Sequence, residues 1–363
     1  MKIAVLLSGG VDSSVALALL KEKGYEITAF YIKIWLEDEL SFLGECPWEE
    51  DLKYARGVCE KFGVPLKIIS LQRDYYKRVV SYAIDELKAG RTPSPDIFCN
   101  KHIKFGTFFD KIDDSFDKVA SGHYANIEQQ GELFFLKTSP DLVKDQTYFL
   151  AHLTQKQISR ILFPIGNLQK NQIRELAQKY DLPTKDRKDS QGICFLGKIK
   201  YRDFVKYHLG IKKGDIVQTP GNKKLGDHNG YWYYTIGQRQ GLGLSGGPWY
   251  VVKKDIEKNI IYVSKKFDKT QYAQNTFFVG ELNWICKPPE HENLRVKIRH
   301  GPKFYNCKFI WESQKAKVIL AQTDSGIASG QFCVFYYKDT CLGCGKIFEL
   351  HGLLTQNFAI QTV

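Results

Sequence analysis

KIAVLLSGGVDSSVALALLKEK, residues 2–23, decides the fold of this chain. Lys2 to Leu7 is a short apolar run of the kind that forms a buried parallel strand. Val15 to Lys23 is rich in good helix formers, and Gly24 ends the pattern. Between them, a Ser-Gly-Gly turn brings hydroxyls and free backbone N–H groups to a helix N-terminus, which favours an anion. The stretch therefore predicts a strand, a phosphate-binding loop and a helix in succession.

The loop is not a Walker A loop, because no GxxxxGKS or GxxxxGKT follows the strand. Its SGGxDS pattern resembles the PP-loop of ATP pyrophosphatases, which release pyrophosphate and transfer AMP to an oxygen of the substrate. The alternative is a tight turn with serine N-caps, but strand, loop and helix together favour phosphate binding. Asp12 would either help to hold magnesium on the phosphates or cap the helix, and the sequence leaves both open.

Composition predicts a globular, multidomain protein with a polyanionic partner. The 363 residues suggest two or three domains, and 43% hydrophobic residues suffice for sizeable cores. The net charge is +12, half of it between Lys185 and Lys213, where aromatic residues are interleaved with the basic ones. A solvated face is the alternative, but the interleaving favours nucleic acid.

The compartment is predicted from what the sequence lacks. No run of 18 apolar residues is present, so no membrane span is expected. Asp12 and three serines interrupt any apolar signal-peptide region near the N-terminus. Nine cysteines is an odd count, which favours reduced thiols over a disulfide framework. We therefore expect a cytoplasmic protein.

The chain divides into an α/β part and a β-rich part. Alternating patterns up to about residue 120 predict an α/β doubly wound parallel sheet, with Gly122 and the Ser-Gly-Gly loop at strand ends. Glu128 to Lys137 predicts a hairpin, and Asp145 to Tyr180 predicts helix in two or three pieces. After about residue 212, short aromatic and β-branched runs, YWYYTIG among them, predict a small β module and then a barrel or sandwich. The expected catalytic domain, small central domain and C-terminal all-β barrel are 1–200, 201–272 and 273–363.

Two cysteines lie in basic stretches that favour a thiolate. Cys99 follows Pro93 and Pro95 and leads into a helix predicted from Asn100 to Asp110, whose N-terminus and basic residues would lower a thiol pKa. A charged, proline-rich loop is a poor place to bury a cysteine, so we expect Cys99 to be reactive rather than buried. Cys194 lies in KDRKDSQGICFLG, again a basic setting. Two such thiols beside a nucleotide loop suggest sulfur handling.

Two other motifs match the residue pattern of a functional site but lack the sequence context that such a site requires. Cys341 and Cys344 form a single CxxC without a second pair or histidines at ligand spacing, so we predict no metal site there. Gly241 to Gly246 reads GxGxxG, but Gly247-Pro248 follows instead of a helix, which argues against a dinucleotide site.

Motifs spread over nearly the whole chain resemble the bacterial tRNA-specific 2-thiouridylases of the PP-loop superfamily, which replace O2 of the wobble uridine by sulfur. They are LSGGVDSS, AGRTPSPDIFCNKHIKF, ASGHYA, KDQTYFL, LFPIGNL, KDSQGICFLG, TIGQRQGLG and PWYVV. The resemblance implies an adenine nucleotide alpha hydrolase-like catalytic domain, ATP with Mg²⁺, and tRNA as substrate. It also implies a persulfide donor, such as a cysteine desulfurase or sulfur relay protein, and a disulfide reductant.

The resemblance further implies roles for individual residues. Cys99 would be the nucleophile, Cys194 the persulfide carrier and Asp96 the acid/base group, and the two cysteines would form a disulfide during turnover. The ATP site would comprise Leu7, Ser8, Gly9, Gly10, Val11, Asp12, Ser13, Ser14, Ile32 and Gly122. The tRNA contacts would be Ser94, Pro95, Asp96, His123, Lys144, Asp145, Gln146, Arg299, His300 and Gln331. Two residues depart from the family pattern: Ser94 replaces a common Asn, and His300 replaces a common aromatic residue.

The implied reaction begins with ATP-dependent adenylation of the C2 carbonyl, and sulfur then arrives as a persulfide or as hydrosulfide. Three rival functions share part of the pattern. They are another PP-loop enzyme such as an amidating or 4-thiouridine synthetase, a non-enzymatic RNA-binding or redox protein, and an iron–sulfur thiolase. The Cys99/Cys194 pair within these motifs separates the expected activity from the first rival.

Overall fold

A five-stranded parallel sheet forms the centre of the first part of the chain. The computed structural model describes residues 1–34, 48–189, 201–265 and 274–350. The sheet strands, in spatial order, are β3 (Leu66–Ser70), β2 (Glu26–Lys33), β1 (Lys2–Leu6), β4 (Lys118–Ala120) and β7 (Ile161–Leu162). Each neighbouring pair is parallel.

Helices cover both faces of this sheet, which is why β1 is apolar from Ile3 to Leu6. Ile3 and Val5 belong to one core cluster, whereas Ala4 and Leu6 belong to another on the opposite face. The helices are α1 (Val11–Glu22), α2 (Trp48–Phe62), α3 (Gln72–Tyr75), α4 (Ser81–Lys88), α5 (Pro95–Phe98), α6 (Phe108–Lys111), α7 (Thr147–Leu150), α8 (Gln155–Ile158), α9 (Lys170–Lys179) and α10 (Tyr201–Leu209). The π-helical segments Tyr76–Val80 and Cys99–Thr107 join α3 to α4 and α5 to α6. The predicted doubly wound sheet is confirmed.

Two details of this part differ from the sequence-based prediction. The helical segment around Cys99 begins at Pro95 rather than Asn100, because a proline fits the first turn of a helix, where no N–H partner is needed. The stretch between 145 and 180 contains three helices as predicted, but also the two-residue strand β7, which is too short to leave a pattern.

The central module is a four-stranded sheet. Its strands are β8 (Gly214–Gln218), β9 (Lys224–His228), β10 (Tyr250–Asp255) and β11 (Ile260–Ser264), in the order β10-β11-β8-β9. The strand expected for YWYYTIG is wrong, since Tyr231–Tyr233 is a 3₁₀ turn. Tyr231 and Tyr234 fill the core of the module, and the Tyr231 hydroxyl donates to the carbonyl of Lys88.

The C-terminal part is a closed antiparallel barrel. Its strands are β12 (Gln274–Trp284), β13 (Asn293–Lys297), β14 (Tyr305–Glu312), β15 (Lys315–Asp324), β16 (Phe332–Tyr337) and β17 (Thr340–Leu350). Pairing of β12 with both β15 and β17 closes the ring. The alternating burial of β14 places Tyr305, Cys307 and Phe309 inside.

The predicted hairpin joins this barrel to the catalytic part. It consists of β5 (Ala125–Gln130) and β6 (Leu133–Thr138), and β6 pairs with β17 at Leu136 opposite Cys341. One eight-stranded sheet therefore contains strands from the catalytic part and from the C-terminal part of the chain. In the part of the chain that the structure describes, no helix is long and apolar enough to span a membrane.

Candidate nucleotide and sulfur-transfer site

The Ser-Gly-Gly loop lies between β1 and α1 at the carboxyl edge of the parallel sheet. β2 and β4 flank β1, so Ile32 near the end of β2 and Gly122 just after β4 lie at this same edge. The chain runs from β1 to β2 and β3 on one side and then crosses to β4 on the other side of β1, which makes this a topological switch point, where open α/β sheets bind ligands.

Two glycines of this site allow backbone to approach backbone. Gly9 has φ of +75°, and a Cβ there would lie 2.2 Å from the carbonyl oxygen of Asp51 in α2. A Cβ on Gly122 would lie 2.7 Å from the backbone nitrogen of Ser13. A side chain at either position would push the loop away from its neighbours.

Hydroxyls hold the loop in shape, and no side chain caps the N-terminus of α1. The Ser14 hydroxyl donates to the carbonyl of Gly10 at 2.8 Å, and the Ser13 hydroxyl donates to the same oxygen at 3.1 Å. The backbone N–H of Ser8 donates to Ser13 Oγ at 3.2 Å. Gly10 is the N-cap of α1 and supplies no side-chain cap, so the first N–H groups of the helix suit an anion.

Asp12 is paired with a cation from a distant helix. Its Oδ1 accepts from Lys170 Nζ at 2.7 Å and from the Tyr124 hydroxyl at 2.8 Å. Of the two roles left open for Asp12, this arrangement disfavours the cap. The sequence gives no sign that Lys170 contacts Asp12, because Lys170 lies 158 positions away, at the start of α9.

Arg187 holds the opposite side of the loop. It donates to the carbonyl of Gly9 at 2.7 Å and to Asp51 Oδ1 at 2.7 Å. Burial raises the pKa of Asp51, and the Arg187 guanidinium opposes that rise. Lys185 is likewise paired, with Asp181. Arg187 is therefore bound to the nucleotide loop, whereas Lys185 forms a surface pair with the exposed Asp181. The prediction that the Lys185–Lys213 stretch meets nucleic acid stays a prediction.

Cys99 is buried, contrary to expectation. It is 2% exposed and belongs to the same core cluster as Ile97 and Ile103. Because the helix begins at Pro95, Cys99 lies one turn inside it, and Ile103 follows four positions later. Asp96 lies in the first turn and is partly exposed. Asn100 donates to the carbonyls of Asp96 and Phe149 and fixes the segment to α7.

The barrel supports the segment that leads to Cys99. The backbone N–H of Thr92 donates to the carbonyl of Ser329 at 2.9 Å, and a Cβ on Gly330 would lie 2.7 Å from the Thr92 carbonyl oxygen. Gln331 belongs to the same barrel turn, where its Oε1 accepts from the N–H of Ala328. The segment that leads to Ser94, Pro95 and Asp96 therefore lies next to the barrel turn that contains Gln331.

Glu86 reinforces this junction. Its carboxylate accepts two hydrogen bonds from Arg91, at 2.7 and 2.8 Å, and one from Lys346 of β17 at 2.8 Å. Burial would raise the pKa of Glu86, but the hydrogen bonds and charges of Arg91 and Lys346 lower it overall. The segment and the barrel are thus held together by an ionised carboxylate.

The three consecutive residues Lys144, Asp145 and Gln146 are each bound by the protein itself. Lys144 Nζ lies 2.7 Å from Asp189 Oδ2, and the Gln146 side-chain oxygen accepts from the N–H of Tyr124 at 3.0 Å. Asp145 is fully buried and pairs at 2.7 Å with Lys297 of the barrel, also fully buried. The Asp145 side chain is therefore part of the domain junction and is not presented to a ligand.

The histidines predicted to contact tRNA also have internal partners. His123 is buried, its Nδ1 lies 2.8 Å from Ser121 Oγ, and burial lowers its pKa well below the usual value. His300 Nε2 donates to the carbonyl of Asp145, and its ring stacks on Phe149 with centroids 4.7 Å apart. Arg299, 48% exposed at its side chain, pairs with Asp324.

The two cysteines of the CxxC motif are part of the barrel core. Cys341 and Cys344 are buried in β17, and burial raises the pKa of both thiols. Cys194 lies outside the described residues, five positions beyond Asp189.

Comparison with known proteins agrees over nearly the whole chain. The family model described as the tRNA methyl transferase HUP domain matches residues 1–198, the tRNA methyl transferase PRC-barrel domain matches 202–265, and the aminomethyltransferase beta-barrel domain matches 274–347. A solved structure, the NMN synthetase from Francisella tularensis, has a TM-score of 0.32 and 18% identity over 57% of this chain and 75% of its own. That likeness is too weak to carry an argument.

Two curated relatives are much more similar. The tRNA-specific 2-thiouridylase MnmA of Parabacteroides distasonis is 48% identical over 96% of this chain and 99% of its own length. The protein named tRNA-specific 2-thiouridylase MnmA 2 of Bacteroides fragilis is 46% identical over 96% and 100%. The chain belongs to the family of tRNA-specific 2-thiouridylases.

Proposed function

We propose that this chain is a tRNA-uridine 2-sulfurtransferase. It uses ATP to adenylate the C2 carbonyl of the wobble uridine and then replaces that oxygen by sulfur, releasing AMP and pyrophosphate. The observation that carries the proposal is the Ser-Gly-Gly loop at the switch point of the parallel sheet. No side chain caps the helix that follows the loop, so its first backbone N–H groups are available to phosphate.

ATP is bound by the loop from Leu7 to Ser14 together with Ile32 and Gly122. The helix N-terminus and the hydroxyls stabilise the negative charge that grows on pyrophosphate as it departs. Gly9 and Gly122 keep the loop close enough to its neighbours for this geometry. The C2 oxygen of uracil is a poor leaving group, and transfer of AMP from ATP onto that oxygen, with release of pyrophosphate, converts it into a good one.

Mg²⁺ fits this site through Asp12. Magnesium is commonly held by one or two carboxylates together with substrate phosphates. Asp12 is a partly exposed carboxylate in the first turn of α1 and already lies beside a cation, Lys170. When bound, the ion would neutralise phosphate charge; Asp12 would hold it, and Lys170 would shift its contact toward Asp189.

Sulfur is carried by Cys194 and released with the help of Cys99. A persulfide on Cys194, loaded by a donor protein, delivers its terminal sulfur to C2 directly or as hydrosulfide, and AMP leaves. The Cys99 thiolate takes the place of the departing sulfur on Cys194, which forms a Cys99–Cys194 disulfide, and a reductant reopens it. Asp96, one helical turn before Cys99, moves the proton at the base.

We divide the chain at 1–200, 201–272 and 273–363 and assign tRNA contact to all three parts; the individual contact residues named here belong to the first and the third. Ser94, Pro95 and Asp96 meet the base, which must be unstacked to reach them. Lys144, Arg299 and Gln331 contact the anticodon arm, while Asp145, His123 and His300 shape the segments that carry these contacts. This assignment places the protein in the cytoplasm, with its tRNA.

The test is a reaction of the full chain with unmodified tRNA, ATP, Mg²⁺ and a persulfide donor. We expect AMP, pyrophosphate and 2-thiouridine in equal amounts, measured by chromatography and mass spectrometry of nucleosides. Cys194→Ser should abolish thiolation but still release pyrophosphate, whereas the control Cys286→Ser should behave as wild type. A methylated uridine, or no pyrophosphate release with tRNA present, would refute the proposal.

A further inference from the structure

Asp189 lies at the centre of a cluster of three cations. Its Oδ2 accepts from Lys144 at 2.7 Å, and its Oδ1 accepts from Arg174 at 2.6 Å and lies 2.8 Å from Lys170 Nζ. The hydrogen bonds and charges of Lys144 and Lys170 outweigh the effect of burial and lower the pKa of Asp189 to about 2. Asp189 is therefore ionised at neutral pH.

Lys170 connects this cluster to the nucleotide loop. Its ammonium contacts Asp189 and also Asp12 Oδ1, at 2.8 and 2.7 Å. A continuous chain of charges thus runs from Lys144, through Asp189 and Lys170, to Asp12 in the first turn of α1. One end is a predicted tRNA contact and the other is a predicted ATP contact.

Asp141 holds the main chain at both Lys144 and Lys170. Asp141 Oδ1 accepts from the N–H of Lys144 at 3.1 Å, and Asp141 Oδ2 accepts from the N–H of Lys170 at 3.0 Å. The main chain at Lys144 and at Lys170 is therefore fixed in mutual position. Any rearrangement in the cluster is confined to the side chains, and these share one acceptor, Asp189.

We propose that Asp189 is a positioning residue that couples tRNA binding to nucleotide binding by sharing one carboxylate between Lys144 and Lys170. A tRNA phosphate that recruits Lys144 leaves Asp189 with fewer cations, so Asp189 holds Lys170 more strongly. Lys170 then withdraws from Asp12, which becomes available to the metal–nucleotide complex. The inference rests on the proposed function, because it takes ATP at the loop and tRNA at Lys144. Linkage requires that bound nucleotide tighten tRNA by the same factor.

The experiment measures the affinity of the full chain for α,β-methylene-ATP with Mg²⁺, in the absence and presence of saturating unmodified tRNA. This analogue cannot be cleaved between the α- and β-phosphates, so only binding is observed. We expect tRNA to tighten the wild-type affinity by about fivefold or more. In Asp189→Asn that ratio should fall to near one, and Asp189→Glu should restore it in part.

Asp181→Asn is the matched control. Asp181 also accepts from two lysines, Lys61 and Lys185, but it is 71% exposed and contacts neither end of the charge chain. It should retain the wild-type ratio. If Asp189→Asn fails to fold, Lys144→Gln is the second variant, because it removes one cation from an acceptor that keeps two others. It should weaken tRNA binding and abolish the ratio.

The outcomes separate the two proposals. A ratio retained in Asp189→Asn, or a wild-type ratio near one with both ligands bound, would overturn the positioning role alone. If wild type bound neither nucleotide nor tRNA, the proposed function itself would fail.

Discussion

The nucleotide loop at Ser8–Ser14 and the segment at Thr92–Asn100 that carries Cys99 belong to the same catalytic part, yet they are built differently. The hydroxyl bonds within the loop join residues five or fewer positions apart. The Cys99 segment depends on barrel residues more than 200 positions away, Ser329 and Lys346. The hydroxyl bonds inside the nucleotide loop are thus local, although Arg187 and Lys170 contact the loop from distant positions, whereas the Cys99 segment depends on the barrel for its support.

The largest expected effect is on the barrel junction. Lys297→Met leaves the buried Asp145 carboxylate without its cation, so the free energy of unfolding should fall by about 3 to 5 kcal/mol, measured by denaturant titration. The control Lys308→Met removes one partner of an exposed pair on the neighbouring strand and should cost less than about 1 kcal/mol. Equal losses in the two variants would mean that the junction is not specially dependent on the buried pair.

Glu86 tests the junction nearest to Cys99. Glu86→Gln should cost about 1.5 to 3 kcal/mol at neutral pH, because Arg91 and Lys346 lose their shared ionised acceptor. The pKa of Glu86 is lowered in the folded state, so its contribution is full above the ordinary value of 4.5 and is lost as the pH falls through the folded value. The stability difference between wild type and variant should therefore shrink below pH 4.5. Glu281→Gln, at an exposed partner of Lys346, should show no such trend.

Gly9→Ala tests the local construction of the nucleotide loop. Its Cβ would lie 2.2 Å from the Asp51 carbonyl oxygen, so we expect about 1 to 3 kcal/mol of destabilisation and loss of pyrophosphate release. Gly24→Ala is matched in backbone strain, since its φ is +76° but no atom lies within 4 Å of the new Cβ. If both variants turned over ATP equally, close backbone approach would not be what the loop requires.

The smallest expected effect concerns the barrel's contact with tRNA. Arg299→Gln should weaken tRNA binding modestly and lower the slope of log affinity against log salt by about 1, as loss of one phosphate contact does. The measurement is a filter-binding or anisotropy titration at several salt concentrations. Lys308→Gln, on a barrel strand, is the control, and a slope unchanged from wild type in Arg299→Gln would remove Arg299 from the tRNA contacts.

This contrast explains which features could be predicted from the sequence. The loop, α1 and the doubly wound sheet follow from local patterns of apolar residues, helix formers and glycines. The burial of Cys99 could not be read from a proline-rich, charged stretch, because it depends on a helix that starts five residues earlier than expected. Asp145 matched a family motif, but the motif does not reveal that its carboxylate faces Lys297.

The partners of Asp12 could not be predicted from the sequence either. Lys170 and Asp189 occupy ordinary helix and loop positions, and no spacing in the sequence marks them as neighbours of the nucleotide loop. The net charge of the Lys185–Lys213 stretch does not reveal that Arg187 donates to the Gly9 carbonyl. The net charge of a stretch indicates a polyanionic partner, but it does not show which of its cations are already bound within the protein.

The pairing of Leu136 with Cys341 has a consequence for biosynthesis. Strand β6 leaves the ribosome about 200 residues before its partner strand β17 is made. At about 5 to 20 residues per second, the delay is about 10 to 40 s. During that interval the hairpin presents an unpaired edge, the kind of surface that invites association between nascent chains. The edge of β6 in a newly made chain is therefore open to association until β17 emerges.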